Sequence, residues 1–274
     1  MSVTHRRMTQ ADLGLVLDWA AAEGWNPGLD DTAPFHAADP DGFFIAVEDE
    51  KILAAISVVN HTDDYAFLGL YICAPEARGR GIAYELWQTA MAHAGERTVG
   101  LDGVPEQQEN YIKSGFELVG STVRHTGPLS SGPAADTRPA NAADIGRMTE
   151  LEAVASGVAK PRFLTQWFRP APTRHGFMTA DGTGMVVIRA CRDGYKIGPL
   201  VARSDVQARN LLQAAATISG EADVSIDVPA SDRTLTGICR ELGLAPGFET
   251  ARMYRGVPIF GGDLLYAVAT LELG

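Results

Sequence analysis

The residues best suited to chemistry lie in Tyr71-Ile-Cys-Ala-Pro-Glu-Ala-Arg-Gly-Arg-Gly-Ile-Ala83, where a β-rich stretch passes through a glycine turn into a helix. In such a turn successive backbone N–H groups converge on one point, and the helix terminus adds partial positive charge. Gly79 and Gly81 present no side chain to block close approach, and Arg78 and Arg80 bring positive charge to an acidic chain. A pyrophosphate is the guest this arrangement suits. The spacing is neither GxxxxGK[ST] nor GxGxxG, so neither a nucleoside-triphosphate loop nor a dinucleotide fingerprint is present. Cys73 has no base partner nearby and reads as a small buried hydrophobe.

The elements that must position this turn come in two series. In the first, residues 42–48 and 52–59 read as a hairpin, 65–73 as a strand, 81–94 as a helix and 98–101 as a short buried strand. A second helix runs towards Ser114, with Gly115 as its stop, and residues 116–123 form the next strand. Residues 126–136, rich in Gly, Pro, Ser and Ala, read as a linker. The sequence then restarts. Arg6-Arg-Met-Thr-Gln-Ala-Asp-Leu-Gly14 overlays Arg138-Pro-Ala-Asn-Ala-Ala-Asp-Ile-Gly146, with Thr9 and Asn141 as N-caps. Strands near 178, 185–190, 195–201 and 224–228, helices at 205–218 and 231–242, and closing strands at 251–254 and 266–271 repeat the order. The fold class is mixed α/β (α+β), expected as residues 1–127, a linker at 128–137, and residues 138–274.

Composition bounds the rest. The 274 residues suffice for two domains, and 46% hydrophobic with 21% charged residues is ordinary globular usage. Asp and Glu number 34 against 23 Lys and Arg, a net charge of −11, which disfavours nucleic acid and anionic membranes as partners. Cys73, Cys191 and Cys239 are unpaired in spacing, and the six His residues form no metal spacing, so a reducing cytoplasmic location and no metal are expected. Asp12 interrupts any apolar stretch near the start, so no signal peptide is read there.

The turn resembles the signature of the GNAT superfamily of N-acetyltransferases, [Q/R]-x-x-G-x-[G/A], here Arg78, Gly81 and Ala83, with Pro75 before it and Ile82 within it. Tyr111-Ile-Lys-Ser-Gly-Phe116 is similar to the family's Y-x-x-x-G-F. The resemblance implies two GNAT-like units, each a mostly antiparallel twisted sheet flanked by helices. It implies acetyl-CoA as cosubstrate, its pyrophosphate on Arg78, Gly79, Arg80, Gly81, Ile82 and Ala83 and its pantetheine along Tyr71, Ile72 and Cys73. Tyr111 would protonate the leaving thiolate, and an amide near Ile72 or Cys73 would hold the developing oxyanion. The second half carries Gly198-Pro-Leu-Val-Ala-Arg-Ser-Asp-Val-Gln-Ala208 at the corresponding place, without the glycines, which implies a degenerate unit.

The acceptor is expected between the halves, as a primary amine of a small molecule, amino acid or peptide. Trp25, Asn26, Asp102, Asp227 and Arg252 are the candidate acceptor residues, and Tyr254 a further one; each also reads as structural. Where relatives often carry Asn after the fifth strand, Asp102-Gly-Val-Pro-Glu-Gln-Gln108 intervenes. The base that deprotonates the amine is open among His61, Asp63, Asp64 and Asp102, each of which also reads as a turn or capping residue. Two functions stand: an N-acetyltransferase, monomeric or homodimeric, and a non-catalytic acyl-CoA-binding regulator.

Overall fold

The computed structural model describes residues 3–274. The first series contains β1 (Thr4–Arg7), α1 (Gln10–Ala22), α2 (Thr32–Ala38), β2 (Phe43–Glu48), β3 (Lys51–Asn60), β4 (Tyr65–Cys73), α3 (Ile82–Ala94), β5 (Thr98–Gly103), α4 (Gln108–Lys113) and β6 (Glu117–Pro128). The second contains β7 (Thr137–Pro139), α5 (Ile145–Ser156), α6 (Pro161–Trp167), β8 (Arg174–Thr179), β9 (Met185–Ala190), β10 (Tyr195–Ala202), α7 (Asp205–Ser219), β11 (Asp223–Pro229), α8 (Arg233–Glu241), β12 (Ala245–Arg255) and β13 (Leu265–Ala267). Among the described residues no helix is long and apolar enough to cross a membrane.

The internal repeat extends to side chains. Thr9 and Asp12 form a capping box at α1, and Asn141 and Asp144 form the same box ahead of α5. Arg6 grips Asp12 at 2.7 and 3.0 Å, and Arg138 grips Asp144 at 2.8 and 2.7 Å. Each strand therefore delivers its chain into a helix start fixed by three side chains, an arginine, an aspartate and a Thr or Asn cap.

The two expected sheets are one. Its strand order is β1-β2-β3-β4-β5-β12-β6-β11-β10-β9-β8-β7, with β13 paired to β10. Each series sends its sixth strand across: β12 lies between β5 and β6, while β6 lies between β12 and β11. The stretch Thr126-Gly-Pro128, read as linker, is thus strand, paired with residues 223–225 of β11. Pro128 is tolerated because it stands at the strand's last position, where its missing N–H costs little. Only residues 129–136 between the two series lie outside regular strand and helix.

The sheet has two unlike faces at the first series. Ala66 and Leu68 of β4 pack with Leu86, Ala90 and Met91 of α3. Tyr65 and Phe67 point the other way, against Val158 and Tyr254. On that second face the chain after β13 crosses β4: Glu272 packs on Gly69, and Gly274 packs on the Phe67 ring. Buried ion pairs stitch the series together: Asp31 to Arg174 (3.0 Å) and Arg189 (3.2 Å), Arg124 to Asp227, and Asp102 to Arg252.

Candidate active site

Strands β4 and β5 run parallel and pair only from Tyr65↔Thr98 to Leu68↔Leu101, after which they part. Against β3, Leu70 and Tyr71 share the space opposite Ile56, a bulge that puts Leu70 at φ +48°. A bulge turns backbone groups out of the ladder and bends the strand. The resulting cleft is lined by Leu70 and Tyr71 on one side and by Asp102, Val104 and Tyr111 on the other.

At the end of β4 the turn enters α3 through Gly79 (φ +76°) and Gly81 (φ +82°). A Cβ on either would meet nothing within 4 Å, so glycine is needed here for the left-handed backbone and not to relieve crowding inside the protein. Gly81 is the N-cap of α3 and offers no side chain to its first N–H groups. By contrast Thr9, Ser204 and Asp232 cap α1, α7 and α8. The first amides of α3 are thus free to bind an anion, as pyrophosphate binding requires. The arginines are less free than the sequence suggests. Arg78 donates to the Cys73 carbonyl (3.1 Å) and pairs with Glu23 (2.9 Å), and Arg80 pairs with Glu48 (3.1 Å). Both pairs are exposed, so an arriving phosphate competes with weak bonds.

Tyr111 closes the inner end of the cleft. Its ring stacks on Trp87 at 5.7 Å and lies over Gly103, where a Cβ would sit 2.9 Å from it. Tyr71 meets Trp87 edge-on at 5.2 Å, so three aromatic rings form one wall. The Tyr111 hydroxyl bonds to no group among the described residues. Burial raises its pKa well above the usual tyrosine value, and burial also pushes Tyr71 up to about 12. The buried hydroxyl is thus a poorer match to a leaving thiol than a free tyrosine, but it stays protonated at neutral pH, as a donor must. Burial raises the Cys73 thiol too, which keeps it un-ionised.

The expected acceptor residues divide. Trp25 and Asp102 line the cleft. Asn26 does not; both ends of its amide bond the Asp193 backbone, at 2.6 and 3.2 Å, tying the series together. Asp227 is held by Arg124 at 2.7 and 2.9 Å, and it is Arg124 that reaches the cleft. Arg252 holds both oxygens of Asp102, at 2.9 and 2.7 Å, with its guanidinium over Phe67. Tyr254 donates to the Ile259 carbonyl at 3.1 Å.

The expected bases fare poorly. Asp102 is engaged on both oxygens, and although burial raises its pKa, Arg252 opposes the rise. His61 is buried, its Nε2 2.9 Å from the Leu273 carbonyl and its pKa lowered by burial to about 3. Asp63 and Asp64 lie in the turn between β3 and β4, at the end of β4 away from the splay.

Sequence reasoning missed Phe248, Thr250, Leu271 and Glu272, which line the cleft from β12 and the chain's last residues. Their separation of well over 100 residues from β4 hides them, since only the strand crossing and the returning tail bring them there. Thr250 also borders a groove of about 960 Å³ beside Arg252, and its Oγ1 is buried without a partner.

The second series repeats the splay and then closes it. Strands β10 and β11 pair in parallel from Tyr195↔Val224 to Ile197↔Ile226 and separate. Into the gap comes β13, antiparallel to residues 200–202 of β10, with the Val268 N–H bonded to the Asp227 carbonyl of β11 (3.0 Å). Gly198 packs on the Val268 carbonyl. Ser204 caps α7 and Asp205 adds a negative charge in its first turn, where an anion would bind. Where the second series lacks the glycines, the chain itself occupies the gap between β10 and β11.

This paired architecture has known counterparts. Residues 13–110 match the acetyltransferase (GNAT) family, and residues 148–264 match an acetyltransferase (GNAT) domain. Holothin acyltransferase of Pseudoalteromonas sp. (strain SANK 73390) is 37% identical over 267 residues, covering 95% of this chain and 90% of the relative. The chain belongs to the GNAT acyltransferases. A putative acetyltransferase from Pyrococcus horikoshii shares the fold with a TM-score of 0.83 at 19% identity, over 99% of this chain and 96% of that one. A tandem GNAT protein from the clavulanic acid biosynthesis pathway aligns over 92% and 98%, with a TM-score of 0.65 at 13% identity. As a tandem GNAT acyltransferase, the chain is an enzyme, and the reading as a non-catalytic regulator gives way.

Proposed function

We propose that this GNAT acyltransferase moves an acetyl group from acetyl-CoA to the primary amine of a small molecule. The observation that carries the reading is the open splay of β4 and β5 leading straight to the uncapped start of α3. Those features fit a long cosubstrate with an anionic middle, whereas the second splay is filled by β13. Acetyl-CoA, when bound, supplies an activated thioester. The amides of Gly79, Gly81, Ile82 and Ala83 would hold its pyrophosphate, the Arg80 N–H being bonded to the Ala77 carbonyl. Backbone groups at the Leu70–Tyr71 bulge and at Ile72 would face its acyl end, and Tyr111 would hold the proton that the leaving sulfur takes.

The acceptor enters from the face opposite α3, through the groove that meets the cleft at Thr250. Trp25, Phe248 and Leu271 offer it an apolar, flat-sided seat suited to a compact molecule. The relative named for holothin makes that compound the first acceptor to try. The test is release of free thiol from acetyl-CoA with holothin and a panel of small amines, with the acylated product identified by mass. Amine-dependent thiol release with a mass gain of one acetyl group supports the reading. Thiol release without amine dependence, or no turnover with any amine, contradicts it.

A further inference from the structure

Resting on that reading, we propose that Glu272, carried by the tail of the second series, is the general base that takes the proton from the acceptor amine in the first series' cleft. Glu272 is 4% exposed and lines the cleft with Tyr71 and Tyr111. Its Oε2 accepts from the Thr270 hydroxyl, and its Oε1 accepts from none of the described residues. It is thus the cleft carboxylate with an oxygen to spare, since Asp102 gives both of its oxygens to Arg252.

The backbone fixes its place. Gly69 lacks a side chain, and the Glu272 carbonyl packs on the space a Cβ would take, beside the bulge where β4 leaves β5. The His61 ring bonds the next carbonyl, Leu273, and β13 anchors the tail's start in the second splay. The strand that blocks the second site therefore delivers a carboxylate to the first.

The ionisable groups around Glu272 come from every neighbouring strand. They are Tyr71 of β4, Asp102 of β5, Tyr111 of α4, Arg124 of β6, Arg189 of β9 with Cys191 after it, Lys196 of β10 and Asp227 of β11. Asp227 pairs with Arg124, Asp31 is shared between Arg189 and Arg174, and Lys196 donates to the Trp25 carbonyl at 2.6 Å. In the transfer, the amine nitrogen forms a bond to the acyl carbon as the carbon–sulfur bond breaks. Before the attack, Glu272 takes one proton from the acceptor's ammonium form and passes it to solvent, a step that weakly basic aniline does not need. As the bonds exchange, the sulfur takes the Tyr111 proton and the nitrogen's surplus proton returns through solvent to Tyr111, so that one ammonium proton goes to solvent and one to sulfur.

The experiment compares wild type, Glu272→Gln and Glu272→Asp. Acetyl-CoA affinity and Tm are measured for each, with kcat/KM against pH for holothin, benzylamine and aniline. General base catalysis is worth about 10²- to 10⁴-fold. Glu272→Gln is expected to keep acetyl-CoA affinity within twofold and lose at least about 10²-fold in kcat/KM with benzylamine. The loss is expected to be much smaller with weakly basic aniline, and the low-pH limb of the profile is expected to change. Glu272→Asp is expected to recover part of the rate. Equal losses with both amines and an unmoved pH profile, or a Gln variant as active as wild type, overturn the proposal while leaving acetyl-CoA transfer intact. A Gln variant with lowered Tm and lost acetyl-CoA affinity, unrecovered in the Asp variant, assigns the residue a structural role and also overturns it. A wild type that binds no acetyl-CoA, or transfers to none of the three amines, overturns this proposal together with the reading it rests on.

Discussion

Tyr111 and His61 show how burial decides what a titratable side chain can do. Tyr111 sits among Trp87, Phe116 and Gly103 with its hydroxyl unbonded, so it is held protonated and aimed at the cleft. Tyr111→Phe is expected to lower kcat about 10²-fold and leave the acetyl-CoA dissociation constant unchanged; an unchanged kcat removes it from the mechanism. The place of Tyr111 in the cleft was legible because Tyr-x-x-x-Gly-Phe is a local string. His61 read from the sequence as a candidate base or a turn residue, and its burial against Leu273 depends on the far end of the chain. That burial has a pH consequence. An unfolded histidine takes up a proton below about pH 6.5, whereas folded His61 does so only near 3. The unfolded state thus gains protons first, and stability falls as pH drops through that window, by about 3–5 kcal/mol in full. His61→Gln retains a donor for the Leu273 carbonyl and is expected to flatten the fall in Tm between pH 7 and pH 4. A variant with the wild-type slope assigns that slope to other groups.

At the scale of elements, the same strand–turn–helix unit has been used twice and left open once. In the first copy, glycine at the N-cap leaves the first amides of α3 unclaimed; in the second, Ser204 accepts from the Gln207 amide and Asp205 from the Val206 amide. That contrast is written locally in Arg78-Gly-Arg-Gly81 and Arg203-Ser-Asp205, which is why the sequence alone distinguished a glycine turn from one without glycine. The shared start of both series was legible for the same reason, since a capping box and its arginine lie within seven residues. The path of β6 was not. Thr126-Gly-Pro128 has the composition of a loop, and only pairing with β11 makes it strand. The last strand was expected to run to residue 271, but it stops at Ala267 because the tail leaves β10 to cross β4.

For the whole molecule, the crossing of β6 and β12 ties two copies into one sheet. Residues 1–128 alone would leave β5 and β6 without the strand that pairs with both, and would expose Asp102, Arg124 and Asp31 without their partners. A buried charge stripped of its partner costs about 3–5 kcal/mol, a large share of a typical domain's stability. Residues 1–128 expressed alone are expected to show no cooperative unfolding transition and no acetyl-CoA binding, and coexpression with residues 129–274 is expected to restore both. A folded, acetyl-CoA-binding fragment would mean that the crossing is dispensable. In the proposed function the second series has three tasks: it pairs the sheet, walls the groove through which the acceptor would enter and brings Glu272 to the cleft.

In the proposed function the first splay and the bare start of α3 hold acetyl-CoA. Calorimetric titration of acetyl-CoA into wild type and Gly81→Trp tests it most directly, with α-helical content and Tm recorded for both. Gly81 is at φ +82° on the surface, so the variant places an indole over the α3 amides while the core stays as it is. Micromolar binding to the wild type at one site per chain, lost in a folded Gly81→Trp, is the expected result. Equal binding by both proteins, or two sites per chain, would contradict the account.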